Sequence, residues 1–73
     1  MKTYALSTAI RMTEGGRDLC FRPVSCVGTG NGVFWTVRGR YVVPELPRHL
    51  PTIQGRWVIQ TIASVEKEQR DRG

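Results

Sequence analysis

The chain has few of the residue types that catalytic and metal sites need. Its 73 residues include two cysteines, one histidine and six acids. Cys20 and Cys26 are six positions apart, which fits neither a CxxC pair nor a four-ligand metal site, and His49 is distant from both. The acids fall in predicted turns, in a proline-rich stretch and in a polar end, so no sheltered carboxylate pair is expected. We therefore expect a non-enzymatic protein with no catalytic residues, no metal and no cofactor.

Long hydrophobic runs are also missing. No apolar stretch approaches the roughly 20 residues that span a bilayer, which excludes a transmembrane helix from the sequence. The stretch 3–10 alternates and contains Ser7 and Thr8, a pattern typical of a strand and not of a signal peptide. We expect one small domain over residues 1–73, located in the cytoplasm and without a membrane partner.

The sequence does not decide whether the two cysteines form a disulfide. On one extended strand, Cys20 and Cys26 would share a face but lie roughly 20 Å apart, which is too far for a bridge. Pro23 lies between them and could bend that strand. The spacing favours two reduced thiols, as in an intracellular protein, with a disulfide as the alternative.

Positive charge is what the sequence does contain. Eleven Lys and Arg against six acids give a formal net charge of +5. Residues 1–65 carry the whole excess, because residues 66–73 hold three charges of each sign. Nine of the eleven cations are arginine, whose planar fork suits phosphate and carboxylate, although a GC-rich genome would produce the same bias. The sequence therefore indicates a basic binding surface on the folded body.

Alternating patterns predict three strands within residues 1–43, joined by glycine-rich turns into an antiparallel meander. The segments are 3–12, 19–27 and 33–43, and Pro23 makes the second an edge or bulged strand. The third segment is expected to turn one face toward the core, with the following side chains: Val33, Trp35, Val37, Tyr41 and Val43.

The remainder of the chain is predicted to be a connection and a helix. Residues 44–55 contain three prolines and predict an irregular, proline-rich connection. Residues 56–72 predict a C-terminal helix, while the β-branched run 58–62 makes a strand the alternative. The favoured fold is α+β, a three-stranded meander followed by the connection and the helix. The alternative is a four-stranded all-β fold with a helical tail.

The other face of the third predicted strand combines an aromatic ring with basic groups. On a sheet face, such a ring can stack on a nucleic-acid base while the neighbouring guanidinium groups bind phosphates. The alternative is an ordinary face that is exposed to solvent or covered by the helix. The candidate binding residues are those of this face, two arginines from neighbouring strands and two residues at the start of the predicted helical segment: Phe34, Thr36, Arg38, Arg40, Arg11, Arg22, Arg56 and Trp57.

The opening residues 1–9, MKTYALSTA, resemble the first strand of small phage-encoded anti-CRISPR proteins. Antiparallel strands followed by a charged C-terminal helix are similar in style as well. The resemblance implies a non-enzymatic binder that occludes a surface of an RNA-guided nuclease complex, in the cytoplasm of the host cell. Many such proteins are acidic and mimic nucleic acid, and this basic chain departs from that mode. No individual residue role is carried over.

Two functions are therefore expected. The first is a small inhibitor or adaptor that binds a protein or nucleoprotein complex handling nucleic acid. The second is a regulator that binds DNA or RNA directly through the arginine-rich sheet face, with affinity that falls steeply with salt. A chain this short buries a thin core, so a homodimer is a further option.

Overall fold

The computed structural model describes residues 1–46 and 55–72. Over these described residues it confirms an α+β fold, with two α-helices and four strands in two antiparallel pairs. In chain order the elements are α1 (Leu6–Thr13), β1 (Leu19–Pro23), one turn of 3₁₀ helix (Val24–Cys26), β2 (Thr36–Arg38), β3 (Tyr41–Val43), β4 (Trp57–Thr61) and α2 (Ile62–Arg72).

Backbone bridges join the two strand pairs into one layer. β1 pairs with β4, and β2 pairs with β3. Phe21 of β1 and Trp35, just before β2, exchange two hydrogen bonds of 2.9 Å. On the far side of β4, Tyr4 and Trp57 exchange two bonds of 2.8 Å. The layer therefore runs from the N-terminal segment through β4, β1 and β2 to β3, an order that is not the predicted meander.

The predicted first strand, 3–12, is wrong, because residues 6–13 form helix α1. Leu6, Ala9, Ile10 and Thr13 recur at the i, i+3, i+4, i+7 spacing of a helix face, which competes with the alternation in the same stretch. Ala9 is fully buried against the aromatic core, and Leu6 and Ile10 pack beside it. Thr13 Oγ1 donates to the carbonyl of Ala9 at 2.9 Å, which satisfies a buried hydroxyl. Packing of this apolar face selects the helix.

The predicted third strand, 33–43, is wrong as a single element because it folds back as the β2–β3 hairpin. Gly39 has a φ of +62° and Arg40 does not have a positive φ, as a two-residue loop with glycine first requires. This loop places Val37 opposite Val42 and Arg38 opposite Tyr41. In one continuous strand, Val37 and Val42 would lie on opposite faces. The two-residue turn instead places them opposite each other on the same face, where both pack against the core.

The predicted helix over 56–72 is correct only from residue 62 onward. Residues 57–61 form strand β4, so the strand alternative holds for most of the run 58–62. Thr61 Oγ1 accepts from the backbone N–H of Ser64 at 3.1 Å, which caps the first turn of α2. Most of the proline-rich connection predicted over 44–55, namely residues 47–54, lies outside the described residues.

An aromatic cluster forms the core on one face of the strand layer. The rings of Phe21 and Trp57 meet edge to face at 5.6 Å, and those of Trp35 and Trp57 at 5.5 Å. Ala9 of α1 completes this cluster, because its small side chain lets the helix approach the rings. Alternation along β1 and β4 turns Cys20, Arg22, Val58 and Gln60 to the opposite face, where α2 packs.

Candidate binding surface at the hairpin

The structure separates the predicted site residues into buried and exposed groups, so the continuous sheet face expected from the sequence does not form. Phe34 is half-buried. Three of the eight are buried: Arg22, Thr36 and Trp57. Four are exposed: Arg11, Arg38, Arg40 and Arg56.

Arg22 is a structural residue and not a surface cation. Its side chain is 0% exposed. Nη2 donates to the carbonyl of Cys26 at 3.2 Å and to that of Asn31, and Nη1 donates to Gln60 Oε1 at 3.4 Å. Nη1 also lies 3.5 Å from Glu68 Oε2. The guanidinium therefore ties the 24–31 loop to β4 and α2, and the expectation that Arg22 contributes to a binding face is wrong.

Trp57 and Thr36 were expected on the surface and are core residues. The Trp57 side chain is 0% exposed and contacts two other rings of the aromatic cluster. Its position at the start of β4 rather than in a helix turns the indole inward. Thr36 is 5% exposed, at the end of β2 that adjoins the core.

Arg56 is exposed, but two of its nitrogens donate hydrogen bonds within the chain. Nε donates to Thr3 Oγ1 at 2.9 Å, and Nη2 donates to the Thr3 carbonyl at 2.8 Å. These bonds hold the N-terminal segment beside β4. Arg11 lies in the last turn of α1, where a cation interacts favourably with the helix dipole.

The outer side of the β2–β3 hairpin carries the exposed basic and aromatic groups. We call Arg38, Arg40, Tyr41 and Val43 the hairpin surface. Tyr41 is 74% exposed and Val43 is 46% exposed. Tyr41 lies opposite Arg38 in the strand register, and side chains in such a pair have Cβ atoms about 4.5–5.5 Å apart. The hairpin surface therefore places a free ring next to a guanidinium.

A cleft of about 410 Å³ adjoins the hairpin surface. We call it the glycine cleft, and it is lined by Gly15, Gly16, Arg17, Val37, Arg38 and Gly39. Two tight turns form its walls, with Gly15 at a φ of +78° and Gly39 at +62°. A Cβ added at either glycine would meet no atom within 4 Å, so both corners have open space beside them, and their positive φ is what favours glycine there.

The electrostatics of the glycine cleft favour an anion. Among the described residues that line it, Arg17 and Arg38 are charged and none is an acid. Within residues 1–46 and 55–72, neither arginine forms an ion pair or a side-chain hydrogen bond, and Arg40 forms none either. Among the described residues, these three guanidinium groups near the hairpin tip therefore have no side-chain hydrogen-bond or ion-pair partner.

Tyr41, Val43 and Arg17 were not among the predicted binding residues. Tyr41 and Val43 were assigned to the core because 33–43 was treated as one continuous strand. The Arg-Gly-Arg sequence at 38–40 could have indicated a two-residue turn, and reversing the face after it would have brought Tyr41 beside Arg38. Arg17 had no such signal, because α1 and its packing on β2 bring the 14–18 turn to the hairpin.

Neither cysteine belongs to this surface. Cys20 lies buried on β1 and Cys26 is half-buried in the 3₁₀ turn, and both are free thiols. Burial raises the pKa of Cys20 from 9.0 to about 11, although the Arg22 charge and a hydrogen bond from the Gln60 backbone act in the opposite direction. In the described part of the chain, no three His, Cys, Asp or Glu side chains are grouped as a metal site would need. No helix there is long and apolar enough to cross a membrane.

Comparison with known proteins yields no relative. No family model, no curated protein and no solved structure matches the chain. The resemblance of residues 1–9 to anti-CRISPR proteins therefore remains a prediction.

Proposed function

We propose that this protein is a non-enzymatic module that binds the phosphate backbone of nucleic acid through Arg17, Arg38 and Arg40. The observation that carries the proposal is the set of three arginines near the hairpin tip that have no partner among the described residues. Two of them line a cleft whose described lining residues include no acid. Guanidinium groups bind phosphate with two parallel hydrogen bonds, and glycine corners allow a backbone to approach closely.

The salt dependence of binding follows from the number of arginines. Three phosphate contacts predict a slope of about −2.7 for duplex DNA in a plot of log K against log salt, and of about −2.1 for a single strand. Between 50 and 200 mM salt, affinity should therefore fall by about 40-fold for a duplex and about 20-fold for a single strand.

Fluorescence anisotropy with labelled random DNA and RNA tests the proposal. The double substitution Arg38→Ala with Arg40→Ala should remove most of the binding and reduce the salt slope by about 2. The matched control is Lys67→Ala with Arg70→Ala on the exposed side of α2, which removes the same charge. Absence of binding at 50 mM salt, or equal losses in the two double variants, would refute the proposal.

A second candidate is an inhibitor or adaptor that docks on a nucleic-acid-handling protein complex in the cytoplasm, of the host cell if the chain is phage-encoded. The observation that favours it is the exposure of Tyr41 and Val43 beside Arg38, since tyrosine and arginine are common hot-spot residues of protein interfaces. Under this reading, Tyr41→Ala with Val43→Ser should abolish stoichiometric capture of a nuclease complex. Binding to free nucleic acid should then be weak in the unsubstituted protein.

A further inference from the structure

We infer that the nucleic acid bound at the hairpin surface is single-stranded, with one base stacked on Tyr41 and its backbone phosphate held at the glycine cleft. This inference rests on the proposed function and adds the class of ligand. Tyr41 is 74% exposed, although tyrosine has a large apolar surface. The ring therefore has room for a planar ligand.

The chemistry of stacking selects an unpaired base. In a duplex each base already covers its faces with its neighbours, so an external ring reaches a base face only where the strand is open. A single strand offers every base face, and proteins bind such strands by combining an aromatic platform with a basic groove. The hairpin surface has the platform and the glycine cleft has the basic groove.

The positions of the groups fit one nucleotide. Arg38 lies directly opposite Tyr41, and it also lines the glycine cleft. A base on the ring would therefore have its own phosphate within reach of the Arg38 guanidinium. Val43 lies two residues beyond Tyr41 on the same side of β3 and is 46% exposed, so it extends the apolar platform toward a neighbouring base.

Binding of the same sequence as a labelled 15-mer single strand, DNA or RNA, and as a duplex tests the inference. We expect the single strand to bind at least tenfold more tightly than the duplex. Tyr41→Leu should lower single-strand affinity by about 5- to 150-fold, the range for loss of one stacked base, and leave the salt slope unchanged. Tyr41→Phe keeps the ring and should retain affinity, and because the side chain is exposed, both variants should fold.

A direct optical readout comes from Tyr41→Trp. Trp35 and Trp57 are buried, so the introduced indole would be the accessible one, and stacking should quench its fluorescence with a single strand but not with a duplex. Equal affinity for the two forms, with Tyr41→Leu neutral, would overturn the single-strand inference and leave phosphate binding by Arg38 and Arg40 intact. Failure of both forms to bind would overturn the proposed function and this inference together.

Discussion

Substitution of the buried arginine, Arg22→Met, tests how the second face of the strand layer is held. Methionine keeps the length of the stem and removes the guanidinium. The Cys26 and Asn31 carbonyls, Gln60 Oε1 and the Glu68 carboxylate then each lose one donor. The Cys26 carbonyl still accepts from the Thr29 hydroxyl at 2.9 Å. Removal of one partner from a buried ion pair costs about 3–5 kcal/mol, because the other groups remain without compensation.

Two features of the site reduce this cost. The Glu68 side chain keeps 21% exposure and also accepts from the Gly28 backbone N–H at 2.6 Å, so its charge is not left without a partner. The Nε of Arg22 has no hydrogen-bond partner among the described residues, and removing an unsatisfied buried donor returns about 1 kcal/mol or more. We therefore expect Arg22→Met to lower the free energy of unfolding by about 2–3 kcal/mol.

Urea unfolding followed by the emission of the two buried tryptophans measures this loss. With a slope of about 1 kcal/mol per molar urea for a chain this small, the midpoint should fall by about 2 M or more. The control is Arg56→Met, which also removes arginine bonds to a neighbouring segment but at an exposed position, and should cost about 0.5 kcal/mol. Equal midpoints for the two variants would refute the reasoning from burial.

Two further predictions concern the hairpin turn and the buried thiol. Gly39→Ala should lower stability by about 1–2 kcal/mol in thermal unfolding through its positive φ alone, since the site has space for the methyl group, and Arg40→Ala in the same turn should not. At pH 8 a thiol reagent should modify Cys26 quickly and Cys20 only on unfolding; two fast thiols would contradict the burial of Cys20. Because the pKa of Cys20 is raised from 9.0 to about 11, its contribution to stability should be complete below pH 9 and lost toward pH 11, a decline that Cys20→Ala should reduce.

The sequence alone was sufficient for those features that depend on local chemistry. Apolar periodicity and the mixed-charge end predicted an α+β chain and a helix that includes residues 62–72. Segments 19–27 and 33–43 were predicted to be antiparallel neighbours, and Phe21 and Trp35 of these segments form an antiparallel bridge, although the three-stranded meander itself is not confirmed. The excess of arginine on the folded body also follows from counting, since it requires no knowledge of packing.

Tertiary structure decided the rest, because each remaining question depended on what a side chain packs against. Residues 6–13 fit both a strand and a helix, and burial of Ala9 against three aromatic rings selects the helix. Arg22 looks like any surface cation in the sequence, yet pairing of β1 with a strand 38 positions away buries it under α2. The same long-range packing brings Arg17 to the hairpin and leaves Tyr41 exposed beside Arg38. A pattern in the sequence specifies which faces a segment can offer, and only the assembled core determines which face is covered.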